Sequence, residues 1–155
     1  MSDTISLAAL KALEGKLYGS SSWFIINQDR IDKFADVTED WQFIHCDPEA
    51  AKATPFGTTI AHGFLTLSML SAMVYEMPML ENVAMGVNYG FDKIRFLSPV
   101  PAGARIRAHF TMKRVDDSRP GEVTTTMEVS VEIEGQDKPA LIAEWIGRRY
   151  IGEKA

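Results

Sequence analysis

The sequence predicts an α+β domain in which an antiparallel sheet covers one apolar helix, and two observations lead to this fold class. Residues 61–77 are apolar on every side when they are drawn as a helix, which is typical of a buried helix. In the second half of the chain, apolar and polar residues alternate over long stretches, as they do in half-buried strands. A sheet with one apolar face can wrap such a helix, and we expect a second subunit to cover the helix surface that remains.

The first sixty residues are predicted to form short elements. Leucines at three-residue spacing, followed by Gly15, indicate a short N-terminal helix, and residues 20–26 are expected to be extended. Asn27 is a suitable N-cap for an amphipathic helix that runs to about Thr38. The run Asp47-Pro48-Glu49 has the order of a cap, a first-turn proline and an acid near the positive end of the helix dipole. A further short helix is therefore predicted there.

Four strands are predicted in the second half. Residues 106–113 and 123–133 alternate strictly, and residues 83–98 and 140–151 form two further candidate strands. The breakers at residues 118–121 and 134–139 keep the connections short, so consecutive strands should be antiparallel neighbours. The whole chain, residues 1–155, is predicted to be a single domain.

Composition excludes several function classes. The net charge of −5 comes with no basic stripe, which argues against a nucleic-acid partner. The longest apolar stretch contains His62 and is too short to span a bilayer, so no membrane partner is expected. The single cysteine, Cys46, excludes an intrachain disulfide and fits a reducing compartment. Because no signal-peptide pattern opens the chain, a cytoplasmic location is predicted.

Asp40 and His45 are the first candidate catalytic residues. They lie five residues apart among Trp41, Phe43 and Ile44, in a segment that we expect to be a loop. If the aromatic residues partly desolvate the carboxylate, it becomes a better base, and a neutral imidazole can both accept and donate a proton. Such a pair could hold and activate one water molecule. The alternative is that Asp40 is a solvated cap and His45 a surface or satisfied core histidine.

The second candidate feature is Ala61-His62-Gly63, at the start of the predicted buried helix. The first N–H groups of a helix have no intrahelical partner, and a glycine lets an oxygen approach closely, so Gly63 could bind the oxygen of a carbonyl or thioester. Alternatively, Gly63 only allows close packing, and His62 is interpreted as structural. Cys46 invites a zinc or nucleophile interpretation, but no second cysteine or His-x-His pair supports it.

These two motifs also carry a resemblance to a known family. Residues 40–48 read Asp-Trp-Gln-Phe-Ile-His-Cys-Asp-Pro, and residues 60–64 read Ile-Ala-His-Gly-Phe. At this separation they resemble the motif pair of the MaoC-like (R)-specific enoyl-CoA hydratases, and the likeness is closer to the subgroup that includes nodulation protein N. The likeness extends through Asn88-Tyr89-Gly90-Phe91 to Pro99-Val100 and covers most of the chain.

The resemblance implies a hot-dog fold, a curved antiparallel sheet around one long helix, usually in a homodimer. It implies reversible addition of water to a trans-2-enoyl-CoA to give the (3R)-hydroxyacyl-CoA, with the coenzyme A thioester as substrate and no cofactor or metal. By position, Asp40 and His45 match the catalytic pair, Gly63 matches the glycine whose N–H binds the thioester oxygen, and Ser71 matches a serine near the site. Gln42 stands where the family usually has Asn, and we expect it to make the same hydrogen bonds and to affect substrate choice.

Two other functions remain open at this point. A hot-dog acyl-CoA thioesterase would release free thiol, and a non-catalytic acyl-thioester-binding protein would bind without turnover. The Asp40 and His45 pair argues against the second, because binding alone does not need it.

Overall fold

The computed structural model describes residues 3–152, and residues 1–2 and 153–155 of the predicted single domain lie outside the described part. Its helices are short: α1 (Leu7–Lys11), α2 (Gln28–Thr38), α3 (Phe43–Cys46), α4 (Pro48–Ala51), α5 (Gly63–Ser68) and α6 (Leu70–Val74). Its strands are β1 (Thr4–Ile5), β2 (Leu17–Ser20), β3 (Phe24–Ile26), β4 (Met79–Leu80), β5 (Val83–Phe96), β6 (Ala104–Asp116), β7 (Glu122–Ile133) and β8 (Leu141–Ile151). None of the described helices is long and apolar enough to cross a membrane.

The main sheet confirms the predicted antiparallel strands. Its order is β2-β6-β7-β8-β5, β3 also pairs with β6, and all of these pairings are antiparallel. β1 and β4 form a separate parallel pair. Inward-facing residues of neighbouring strands lie opposite each other, as Met127 does to Trp145 and Val129 to Ala143. The register therefore places one apolar face of the sheet against the core.

The predicted helix starts are confirmed by their hydrogen bonds. The Asn27 side chain accepts from the Arg30 N–H and caps α2. The Asp47 side chain accepts from the N–H groups of Glu49 and Ala50 and caps α4. Both caps satisfy backbone donors that have no partner inside their helix. The extended stretch predicted over residues 20–26 falls on the end of β2 and on β3.

The central helix differs from its prediction. The structure divides residues 61–77 into α5 and α6, with Met69 between them, and α5 begins at Gly63. Leu65, Leu70 and Met73 are buried and pack into the core with side chains of the sheet. The opposite side is exposed in the single chain along a helical stripe of Phe64, Ser68, Ala72 and Tyr75. The sheet therefore covers one side of the helix and leaves apolar surface exposed in the single chain, which is the surface expected to need a second cover. That a second subunit supplies this cover stays a prediction.

Candidate active site

The site begins where α2 ends. Glu39 adopts the left-handed conformation with φ of 60°, and its N–H donates to the Ala35 carbonyl. The Asp40 N–H also donates to the Ala35 carbonyl, at 3.2 Å. These bonds close the C-terminal end of the helix and turn the chain, which puts Asp40 at the start of the connection to α3.

His45 lies on α3 and not in a loop, which corrects the sequence-based expectation. The Gln42 carbonyl accepts from the His45 N–H at 2.9 Å and closes the short turn. The His45 ring is buried, and its Nδ1 lies 2.6 Å from the Ile60 carbonyl oxygen. The Ile60 N–H donates in return to the Ile44 carbonyl at 3.0 Å. α3 is thus joined by backbone and side-chain bonds to the segment that leads into α5.

His62 holds the two candidate residues together. Its Nε2 lies 2.9 Å from the Asp40 backbone carbonyl oxygen, and its ring stacks on His45 with the ring centres 3.9 Å apart. Phe34 packs against it with ring centres 5.0 Å apart. The interpretation of His62 as structural fits these contacts, but its link to Asp40 joins residues 22 apart in sequence. A contact between residues so far apart cannot be predicted from their spacing in the sequence.

One nitrogen or oxygen from each of Asp40, His45 and His62 lies within 4.8 Å of the other two. The set contains the ligand types that bind transition metals. However, the two imidazole planes are inclined by only 25°, and a ring nitrogen binds a metal in the plane of its ring. The lone pairs of two stacked rings therefore lie in two nearly parallel planes and do not converge on one point. This geometry favours packing of the two imidazoles over joint coordination of one metal ion.

His45 is held in its neutral form with a free lone pair. A carbonyl oxygen can only accept, so the proton lies on Nδ1 and the lone pair on Nε2. Burial lowers the pKa of His45 below its usual value, and the neighbouring His62 lowers it further, while the Ile60 hydrogen bond and the Asp40 carboxylate act in the opposite direction. The Nε2 atom is therefore a hydrogen-bond acceptor at neutral pH.

A cleft of about 270 Å³ opens beside His45 and is also lined by Gly63, Thr66 and Phe96. Gly63 is the first residue of α5, so its N–H has no partner within the helix. A Cβ atom at position 63 would lie 3.0 Å from Cδ1 of Phe96, closer than ordinary carbon contacts. The structure thus places a free backbone donor and a neutral imidazole on one cleft, with glycine where any side chain would press on the Phe96 ring.

Comparison with known proteins decides the family. The family model described as MaoC like domain matches residues 10–133. The chain is 49% identical to nodulation protein N of Rhizobium leguminosarum bv. viciae over 144 residues, which cover 92% of this chain and 89% of that protein. The chain belongs to the MaoC-like domain family. Its sequence is also 47% identical over 143 residues to 3-hydroxyacyl-thioester dehydratase Z of Mycobacterium tuberculosis, covering 92% of this chain and 95% of that protein.

Solved structures show which fold this MaoC-like chain has. The (R)-hydratase of A. caviae involved in PHA biosynthesis superposes with a TM-score of 0.71 and 21% identity, covering 85% of this chain and 95% of that one. The fold is the hot-dog fold, and the sequence-based prediction of α+β class and of this fold is confirmed.

Asp40 is less enclosed in this MaoC-like domain than the sequence suggested. Its side chain is 54% exposed, and Trp41 and Phe43 are 57% and 48% exposed. The Trp41 ring turns outward, where its Nε1–H donates to Asp36 at 2.9 Å. The expectation that the neighbouring aromatic residues keep Asp40 partly dry is therefore wrong for the single chain, because more than half of the Asp40 side chain stays exposed.

The remaining predicted residues lie in different places. Gln42 is exposed, and within residues 3–152 its backbone carbonyl and N–H, rather than its side-chain amide, make the hydrogen bonds at the turn. Ser71 lines a separate cavity and is not among the residues that line the cleft of His45 and Gly63. Burial raises the pKa of the Cys46 thiol, and the carboxylates of Asp32, Asp36 and Asp40 raise it further. The thiol is therefore protonated, and a nucleophilic role for Cys46 is disfavoured.

The His45 environment makes a prediction for stability. Because the folded state lowers the pKa of His45, the unfolded chain takes up a proton near pH 6.5 that the folded chain resists. The free energy of unfolding should fall as the pH drops through that value, and the loss should end below the lowered pKa. Urea unfolding at about pH 7.5 and about pH 5.5 should show a smaller loss in His45→Gln than in the wild type. Equal losses would contradict a neutral, desolvated His45.

Proposed function

We propose that the protein is a hydro-lyase that reversibly adds water to trans-2-enoyl-CoA and gives (3R)-hydroxyacyl-CoA. The single observation that carries the proposal is the cleft that both His45 and Gly63 line, with the Nε2 lone pair of His45 left free by the Ile60 hydrogen bond. Asp40 adds a carboxylate within 4.8 Å of this imidazole. The name of the relative 3-hydroxyacyl-thioester dehydratase Z refers to a 3-hydroxyacyl thioester, which is the class of compound that the proposed hydration would form.

In the proposed reaction, Asp40 and His45 hold one water molecule between them. Asp40 accepts one hydrogen of the water and takes this proton as the oxygen attacks the β-carbon. His45 accepts the other hydrogen at Nε2 and so fixes the direction of the attacking lone pair. The α-carbon gains one proton for the one that the water loses, so the addition is balanced. Since nothing is oxidised or reduced, the proposed reaction needs no redox cofactor, and a metal is not required.

Attack at the β-carbon moves negative charge onto the thioester oxygen. The Gly63 N–H would donate to this oxygen. Gly63 is at the N-terminus of α5, where the aligned backbone dipoles give a partial positive charge. Such a donor stabilises the enolate-like transition state more than the substrate, which is the condition for an increase in rate. Gln42 would lie outside the reacting atoms, and its predicted effect on substrate choice stays a prediction. Ser71 is a predicted substrate contact in the neighbouring cavity.

Incubation of the wild-type protein with crotonyl-CoA tests the proposal. We expect loss of the enoyl absorbance without release of thiol, and a product whose chiral analysis gives the (3R) hand. Longer trans-2-enoyl-CoAs in the same assay would give the preferred chain length. Thiol release without hydration would overturn the proposal in favour of a thioesterase, and binding without either reaction would favour a non-catalytic acyl-thioester-binding protein.

We also propose that the active form is a homodimer. The stripe of Phe64 and Tyr75 on the central helices is exposed, and β5 is exposed along most of its length. Exposed apolar surface of this kind marks interaction sites, and a second copy of the chain would cover the helix stripe and an edge strand together. Light scattering at micromolar concentration should give twice the chain mass of 17.3 kDa. A stable and active monomer would contradict this assembly.

A further inference from the structure

The short helix that carries His45 depends on outside groups for its hydrogen bonds. α3 has four residues, and a helix of this length is not stable by itself. The Ile44 carbonyl accepts from the Ile60 N–H at 3.0 Å. The His45 carbonyl accepts from the side-chain amide of Gln28 at 2.7 Å. The position of His45 is therefore set in part by a side chain that lies 17 residues earlier in the chain.

The Gln28 side-chain amide is held in one orientation by three partners. Its Nε2 donates to the His45 carbonyl and also to the Asp32 carboxylate, at 2.8 Å. Its Oε1 accepts from the hydroxyl of Thr59, a residue that is only 1% exposed. Because a carbonyl and a carboxylate can only accept, these partners determine which end of the amide faces α3. Gln28 therefore presents a donor to His45 and an acceptor to Thr59.

These hydrogen bonds form a closed ring that passes through His45. Thr59 directly precedes Ile60, and the Ile60 carbonyl oxygen lies 2.6 Å from the His45 Nδ1. Gln28 thus ties the backbone of His45 to the segment that also binds its ring. Without the Gln28 amide, the His45 carbonyl and the Thr59 hydroxyl would each lose a partner. The spacing between α3 and Ile60, on which the bond to Nδ1 depends, would then be less firmly held.

We propose that Gln28, supported by Thr59, is a positioning residue that keeps the His45 ring on the Ile60 carbonyl. Through this bond it keeps the proton on Nδ1 and the lone pair on Nε2, directed at the water to be added. Its effect on the rate rests on the proposed hydration, whereas its effect on the ring does not. Neither Gln28 nor Thr59 lines the cleft, so the role is exerted through His45 and not by contact with the substrate.

Gln28→Met tests the effect on the rate. Methionine keeps an unbranched side chain of similar length and removes the amide. We expect kcat for the hydration of crotonyl-CoA to fall by about ten- to a hundredfold, because a small displacement of a reacting group has an effect of this size. KM should stay within about twofold of the wild type, since no substrate contact is lost. Lys33→Met is the matched control on the same helix, where Lys33 forms an exposed ion pair with Asp29, and it should leave kcat and KM unchanged.

The tautomer of His45 gives a second measurement that needs no activity. The chain has three histidines, so a long-range nitrogen–proton NMR correlation spectrum resolves three rings, and His45→Gln identifies the signals of His45. At neutral pH we expect the proton of the wild-type ring on Nδ1 alone and a mixture of the two tautomers in Gln28→Met. A wild-type protein that does not hydrate crotonyl-CoA would refute the proposed function, and the comparison of tautomers would still decide the role of Gln28.

In an active enzyme, an unchanged kcat in Gln28→Met, or a rise in KM that accounts for the loss in kcat/KM, would overturn the proposal. An unchanged His45 tautomer would also overturn it, and a lower melting temperature in that case would show that Gln28 only stabilises the fold. If Gln28→Met does not fold, Thr59→Val replaces it, because it removes only the hydroxyl that supports Oε1 and should shift the tautomer in the same direction. No shift in Thr59→Val, or failure of both variants to fold, would assign these bonds to folding alone and reject the positioning role.

Discussion

Asp40→Asn and His45→Ala are each expected to slow the hydration of crotonyl-CoA by about a hundred- to ten-thousandfold. Asparagine keeps the size of Asp40 but cannot take the proton of the attacking water. Alanine removes the Nε2 lone pair that the Ile60 hydrogen bond leaves free on His45. Both groups act on one water, so the double variant should be little slower than either single variant. Initial rates from the enoyl absorbance, with circular dichroism to confirm folding, measure these effects.

Asp29→Asn and His109→Ala are matched controls for these variants. Asp29 forms an exposed ion pair with Lys33 at 2.7 Å, and His109 lies on β6 with its Nε2 2.7 Å from the Glu132 carboxylate. We expect both to keep hydration within about threefold of the wild type, because neither residue lines the cleft or belongs to the cluster of Asp40, His45 and His62. Near-wild-type rates in Asp40→Asn and His45→Ala would show that these residues are structural. Losses that simply multiply in the double variant would contradict a shared water.

Gly63→Val is expected to reduce hydration by about a hundred- to a thousandfold in a protein that still folds. The added side chain would stand where the thioester oxygen must approach the Gly63 N–H. It would also press on Phe96, whose ring atoms lie 3.0 to 3.2 Å from the position of a Cβ at residue 63. Phe96 is half-exposed and can move, so the chain should tolerate the substitution. The absorbance assay measures the rate, and thermal unfolding measures the cost to the fold.

The double variant Gly63→Val with Phe96→Ala separates the two effects of the added side chain. If the loss comes from blocking the N–H, removal of the Phe96 ring should leave hydration as low as in Gly63→Val. Recovery of the rate in the double variant would show that displacement of Phe96 is the cause. Phe96→Ala alone should lose far less than Gly63→Val, since Phe96 is assigned no bond to the reacting atoms.

The long strands and the helix caps could be predicted because their signals are local. Alternation with period two determines which face of β7 is buried, and the side chains of Asn27 and Asp47 bond to N–H groups two or three residues ahead. The division of the central helix at Met69 has no comparable signal. The all-round apolar composition did predict that the sheet alone would leave part of this helix uncovered. It does not indicate which residues form the exposed stripe.

The candidate site was only partly predictable for the same reason. The spacing of Asp40, His45 and Gly63 led to a motif pair, and His45 and Gly63 do line one cleft. The solvation of Asp40 was predicted wrongly, because a neighbour in sequence need not cover a side chain in space: Trp41 donates to Asp36, and Asp40 stays exposed. The contact of His62 with the Asp40 carbonyl depends on how α2 and α5 approach each other. Such a contact follows from tertiary packing, on which the local pattern carries no information.

The bond between His62 and the Asp40 carbonyl has a mechanical consequence. His62 precedes Gly63, so one hydrogen bond and one peptide linkage connect the residue that would take the proton to the amide that would receive the developing charge. Thermal motion that displaces the start of α5 must then carry the Asp40 backbone with it. The distance between Asp40 and the Gly63 N–H should therefore fluctuate less than the distance of either group to the rest of the cleft. Opening and closing motions of the cleft would then leave the spacing of Asp40 and Gly63 unchanged.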